Sequence, residues 1–121
     1  GMGRGGSVRG QVTRASGRSL AVKGSIDRDA VAKVVNAHLS EVRACYERAL
    51  LQEPGLAGKV VLEWSISTTG AVTMARTRTS TLKSSAVERC ILTGLKKWRF
   101  PSAKGGEVLV SYPFLFNSVG Y

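Results

Sequence analysis

The chain is 121 residues long, with a hydrophobic fraction of 43%, a charged fraction of 21% and a formal net charge of +10. That length holds one domain with a real but modest core, and the composition is that of an ordinary globular chain. No apolar run approaches the roughly 18 residues of a membrane span, and no apolar segment near the N-terminus marks a signal peptide.

Gly1-Met2-Gly3 reads as a tag scar ahead of an internal fragment. Arg4, Arg9, Arg14, Arg18 and Lys23 all precede the first acid, Asp27, and they are interspersed with Gly3, Gly5, Gly6, Gly10 and Gly17. A segment with so few large apolar groups cannot bury enough surface to offset its ordering entropy. Residues 1–18 are therefore expected to be a flexible basic linker, and residues 19–121 the folded domain. From Asp27 onward thirteen basic residues face eight acidic ones. This excess reads as a solvated surface, with nucleic-acid or anionic-surface binding as the rival.

Leu20, Val22, Gly24 and Ile26 alternate, an optional short first strand. Ser25 and Asp27 are both good N-caps, and Asp29 sits where a helix dipole favours a carboxylate. A helix is predicted from about Arg28 to Gln52, ending before Pro54-Gly55. Its apolar stripe is Val31, Val34, Val35, His38, Leu39, Val42, Cys45, Tyr46 and Ala49. Lys59–Ser67 then alternates, with Val60, Leu62, Trp64 and Ile66 on one face. Thr68-Thr69-Gly70 supplies a turn in which glycine can take positive φ, and Ala71–Ser80 returns as a second strand. In Ser84–Trp98 the period becomes helical, with Val87, Cys90, Ile91, Leu95 and Trp98 in register. After Pro101 and Gly105-Gly106, Glu107–Phe116 alternates again. The predicted fold is α+β, with an antiparallel three-stranded sheet, Lys59–Ser67 at its centre and two helices on one face. A hairpin, a helical crossover and a third strand make a split β-α-β arrangement.

Chemistry is sparse. His38, the only histidine, falls on the apolar side of its helix and reads as a packed residue. No nucleophile elbow, carboxylate cluster or phosphate loop is present, and two cysteines with one histidine are an incomplete zinc set. The chain is expected to be neither an enzyme nor a holder of cofactor or metal. Trp64, Trp98, Phe100, Tyr112, Phe114 and Phe116 read as core and not as a base-stacking platform. Arg76, Arg78, Lys96, Lys97 and Arg99 are candidate charged contacts, or else a solvated face.

Gly58-Lys59-Val60-Val61, Ile66-Ser67-Thr68-Thr69-Gly70-Ala71-Val72, Lys97-Trp98-Arg99-Phe100-Pro101 and the strand from Gly106 to Phe116 together resemble the C-terminal domain of TonB. His38-Leu39-Ser40-Glu41-Val42-Arg43-Ala44-Cys45-Tyr46-Glu47, with Cys90, is similar to the AgmX/PglI variant, which is associated with gliding-motility machinery of the bacterial envelope. The resemblance implies a periplasmic adaptor. It would couple an inner-membrane proton-driven motor, through an anchor outside this fragment, to an outer-membrane or periplasmic protein segment. No nucleic-acid partner is expected.

Cys45 and Cys90 each lie on the inward stripe of a helix covering the same sheet face. A structural disulfide suited to an oxidising periplasm is expected, with two separate buried thiols as the alternative. Pro113 lacks a ladder donor, which argues for an edge strand. The resemblance adds that the last strand captures a partner segment, through Val108, Leu109, Val110, Ser111, Tyr112, Pro113, Phe114, Leu115 and Phe116. The competing arrangement has Leu20–Ile26 covering that edge.

Overall fold

The computed structural model describes residues 9–14 and 21–119. Its elements in order are β1 (Arg9–Arg14), β2 (Ala21–Ser25), α1 (Arg28–Ala37), α2 (Leu39–Leu50), β3 (Gly58–Ile66), β4 (Val72–Ser80), α3 (Ser85–Leu95) and β5 (Lys104–Val119). All strand pairs are antiparallel, in the order β1-β5-β3-β4, with β2 also paired to β5.

The α+β class stands, but the expectation of three strands and two helices is overturned by five strands and three helices. The optional first strand forms as β2, Ala21–Ser25, and two physical causes account for the rest of the difference. First, Arg9–Arg14, placed within the presumed linker, pairs with β5 from Arg9↔Val119 to Arg14↔Phe114. Glycine serves there as a packing device: a Cβ on Gly10 would lie 2.6 Å from Tyr46 Cδ2. Gly10 N–H also donates to Glu47 Oε2 at 2.9 Å, tying β1 to α2. The rest of the expected linker, 1–8 and 15–18, lies outside the described residues. Second, the long helix breaks at His38, whose φ of −108° and ψ of 7° leave the helical region. The two parts keep one continuous inward stripe, with Val31, Val35, Val42, Cys45, Tyr46 and Leu50 buried.

The hairpin and crossover follow the alternation closely. Val60, Leu62, Trp64 and Ile66 of β3 are fully buried and meet Val87, Ile91 and Leu95 of α3 in one core. Asp27 caps α1 by accepting from Asp29 N–H at 2.9 Å, and Ser84 caps α3 by accepting from Val87 N–H at 3.3 Å. Gly70 (φ 87°) turns the β3–β4 hairpin, and its carbonyl accepts from Phe100 N–H at 2.9 Å. A side chain there would collide with the Phe100 carbonyl, so this glycine answers to packing as well as to φ.

Cys45 of α2 and Cys90 of α3 form the expected disulfide, with Cα atoms 5.8 Å apart and a sequence separation of 45. It locks the two helices together across the sheet face. Closing a loop of that length restricts the unfolded chain by about 4 kcal/mol in the entropy model. The double variant Cys45→Ser/Cys90→Ser is accordingly expected to lose about 4 kcal/mol of unfolding free energy. Urea titrations of the oxidised and variant proteins, compared with each slope fitted separately, measure the difference.

Candidate functional site

The predicted capture strand is the sheet's most heavily paired element. Along one side β5 pairs with β3, from Gly58↔Phe116 to Ile66↔Val108. Along the other it pairs with β1 over Phe114–Val119 and with β2 at Lys104 and Leu109–Ser111. The expectation that Pro113 puts this strand at a rim is therefore corrected: the N-terminal segment covers that edge. The proline rule still operates, because Pro113 falls between the two outer ladders, one reaching Phe114 and the other Ser111. The missing donor falls at the interruption.

The expected contact residues divide by face. Val108, Val110, Tyr112, Phe114 and Phe116 point into the core and are 2% exposed or less. Leu109, Ser111, Pro113 and Leu115 face the helix-free side. There Ser111 is buried, Leu109 and Pro113 are partly covered, and Leu115 is 38% exposed. A partner strand can reach β5 only by replacing β1 or β2.

The five candidate cations also separate into two places. Arg76 and Arg78 lie on β4, over the open face. Arg76 Nε donates to Glu63 Oε1 at 2.7 Å, and Glu63 is 7% exposed. Lys96, Lys97 and Arg99 follow α3 at the far corner, around a hollow of about 320 Å3 that Trp98 also lines. They form no common surface with the arginines of β4. Sequence reasoning missed Glu63, which it did not single out, and Lys23, which it counted only in the basic run ahead of Asp27. The alternation of Gly10 and Val12 against Gln11 and Thr13 was the available sign of β1.

At the α1–α2 break three side chains interlock. The His38 ring stacks on Trp98, centroids 4.5 Å apart and planes 11° from parallel. His38 Nδ1 contacts Glu41 Oε2, while Trp98 Nε1 donates to Glu41 Oε1 at 3.4 Å. The bond from His38 lowers the Glu41 pKa, burial opposes it, and Trp98 adds to the lowering. Tyr46, whose hydroxyl donates to the Leu56 carbonyl, has its pKa raised by burial. Between α2 and α3 a groove of about 240 Å3 runs over the disulfide, with Arg48 Nη1 3.9 Å from Cys90 Sγ. Among the described residues no group of three or more His, Cys, Asp or Glu is placed to hold a metal ion. No described helix is long and apolar enough to cross a membrane.

No family model matches the chain. No solved structure matches it either. Over 86 residues, 71% of its length, it is 35% identical to the Tyrosine-protein kinase MasK of Myxococcus xanthus. The chain spans 13% of that protein, so the kinase activity in the name belongs to a much larger molecule.

The His38–Glu41–Trp98 cluster has a definite acid response. Glu41 has its pKa lowered in the folded state, so its contribution is present above the unfolded value of about 4.3 and is lost as pH falls through the folded value. Thermal midpoints measured from about pH 6 down to about pH 3 should fall less steeply for Glu41→Gln than for the native chain. Equal slopes would show that the cluster adds nothing to acid stability.

Proposed function

We propose that this is a TonB-like periplasmic adaptor domain of the AgmX/PglI kind. In a protein anchored in the inner membrane, it passes work from a proton-driven motor to an envelope or outer-membrane partner by strand addition, with gliding motility as the setting. The observation that carries this reading is the outer ladder of β5. That ladder is built from two short, separate strands of the N-terminal segment, six and five residues long. An edge already filled by an added antiparallel strand has the geometry for receiving one from elsewhere.

The disulfide supports an oxidising compartment. The resemblance to the TonB C-terminal domain supports strand capture, and the resemblance to its AgmX/PglI variant supports the gliding-motility setting. In this reading the domain performs no catalysis of its own. Its chemistry is backbone pairing, which tolerates many partner sequences, with selectivity coming from the side chains flanking the ladder.

Exchange of β1 for a partner strand can be trapped in cells. A photo-crosslinking residue at Leu115, on the native full-length protein, should yield an adduct with an envelope protein. Gln11 and Asn117 face each other in register. A Gln11→Cys/Asn117→Cys bridge that pins β1 should lower the adduct about tenfold. An adduct unchanged by the bridge, or formed with a cytoplasmic protein or nucleic acid, would remove the strand-exchange reading.

A further inference from the structure

The face of the sheet turned away from the helices holds a second, independent arrangement. Glu63 of β3 stands opposite Arg76 of β4 on one side and Ser111 of β5 on the other. Arg76 spends its charge locally: Nε and Nη2 reach the same carboxylate oxygen, Oε1, at 2.7 and 2.6 Å. Arg78 does something different. Its Nη1 extends from β4 past β3 to Ser111 Oγ of β5, at 3.5 Å. From the opposite side comes Lys23 of β2, whose register partner is Leu109. Together these six residues line a recess of about 210 Å3.

Three cations against one carboxylate leave two positive charges in excess. Neither Lys23 nor Arg78 takes part in the ion pairs found among the described residues, which join His38 to Glu41 and Arg76 to Glu63. An arginine on an edge strand ordinarily turns to solvent, where it also discourages unwanted pairing. Arg78 is exposed, yet it reaches across the sheet to within 3.5 Å of a buried serine. Such placement biases a guanidinium towards the recess before any ligand arrives, which lowers the ordering cost of receiving a carboxylate.

We propose that this recess docks an extended acidic segment of a partner protein, with its carboxylates received by Arg78 and Lys23. The proposal is separate from strand exchange on β5, because it uses side chains of the open face and leaves β1 in place. Charge complementarity selects the occupant. A nucleic acid or an anionic bilayer presents many phosphates, and here it would meet two uncommitted cations and the fixed carboxylate of Glu63. A peptide brings one or two carboxylates at side-chain spacing. It also brings apolar groups for Leu109 and for Met74, which is 38% exposed on the same face. The Glu63–Arg76 pair, whose carboxylate is buried and whose arginine is exposed, leaves no free cation at the middle of the sheet and directs an incoming carboxylate towards Arg78 or Lys23.

The test uses the whole chain and a fluorescein-labelled peptide of about ten residues in which Glu and Thr alternate, with a Gln/Thr peptide as its neutral counterpart. Anisotropy should show binding of the Glu peptide that weakens with salt, and the Gln peptide should bind about tenfold more weakly. Arg78→Gln with Lys23→Gln should lower affinity for the Glu peptide about tenfold, while Lys33→Gln, on exposed α1, should leave it unchanged. Amide shifts should gather at Lys23, Leu109 and Ser111. Unaltered circular dichroism and urea midpoints confirm that the variants remain folded. The proposal is overturned if the Glu peptide does not bind up to about millimolar concentration or binds no better than the Gln peptide. It is equally overturned if the double variant binds as well as the native chain, or if the shifts move to Lys96–Arg99. Binding through Arg78 and Lys23 to vesicles containing about 30% phosphatidylglycerol, without binding to the peptide, would give the face to a membrane instead.

Discussion

The inward row of β5, from Val108 through Val110, Tyr112 and Phe114 to Phe116, is the surface around which β1, β2 and β3 are assembled. On one side the row is matched rung by rung to β3, and on the other it is completed by β1 and β2. The aromatic rings continue the contact into the helices, with Tyr46 of α2 tilted at 58° against Phe116, centroids 4.9 Å apart. Each buried aromatic of this kind contributes a few kcal/mol of apolar burial. A strand so placed cannot be removed or slipped by one residue without turning its core row out to water. The partners that complete it lie almost the whole chain length away in sequence. Folding therefore depends on closing very long loops, and the domain is expected to form its N-terminal ladder late.

The two faces of the sheet follow different rules. Beneath the helices, burial is nearly complete and the disulfide ties α2 to α3. The opposite face has no helix, yet it is not uniformly wet: Glu63, Ser65 and Ser111 are buried there under longer neighbouring side chains. A carboxylate covered to that extent requires a partner, and Arg76 supplies it in a nearly symmetric two-donor contact to one oxygen. The open face is thus a designed polar surface with a fixed internal ion pair, and its remaining cations are arranged around that pair.

Much of the fold was legible because local pattern and tertiary role agree. The alternation of Val60, Leu62, Trp64 and Ile66, the glycine turn at Gly70 and the helical spacing of Val87, Ile91 and Leu95 each admit one packed arrangement. The inward positions of Cys45 and Cys90 were readable for the same reason. β1 was hidden because a Gly/Arg-rich hexapeptide carries little local preference. Its strand character comes from pairing with residues a hundred or more positions away, and Gly10 is required by Tyr46, not by its own neighbours. The break at His38 had no proline or glycine to announce it. It is set by the His38–Trp98 stack, a contact between distant segments. Pro113 gave a true signal that was read too broadly: it marks a gap in one ladder of an interior strand, where sequence alone suggested a whole free edge. Of the candidate site, Arg76 and Arg78 were visible as exposed strand cations. Lys23 and Glu63 were not, since their meeting depends on strand order.

Because β1 runs antiparallel to β5 and begins opposite Val119, the chain enters and leaves the sheet at the same end. A pull on the segment ahead of Arg9, directed across the strands and away from β5, loads the outermost rung first. The ladder then opens like a zipper, one hydrogen-bonded pair at a time, and does not bear the tension in shear along its full length. Once β1 has peeled back to Arg14, the next described ladder is β2 at Ala21–Ser25, and beyond it stands the capped start of α1 at Asp27. The disulfide lies past all three and holds the helices to the core at loads that strip the edge. Tension entering from the N-terminus would be released in graded steps, with the central strand uncovered at low force while the rest of the domain keeps its shape.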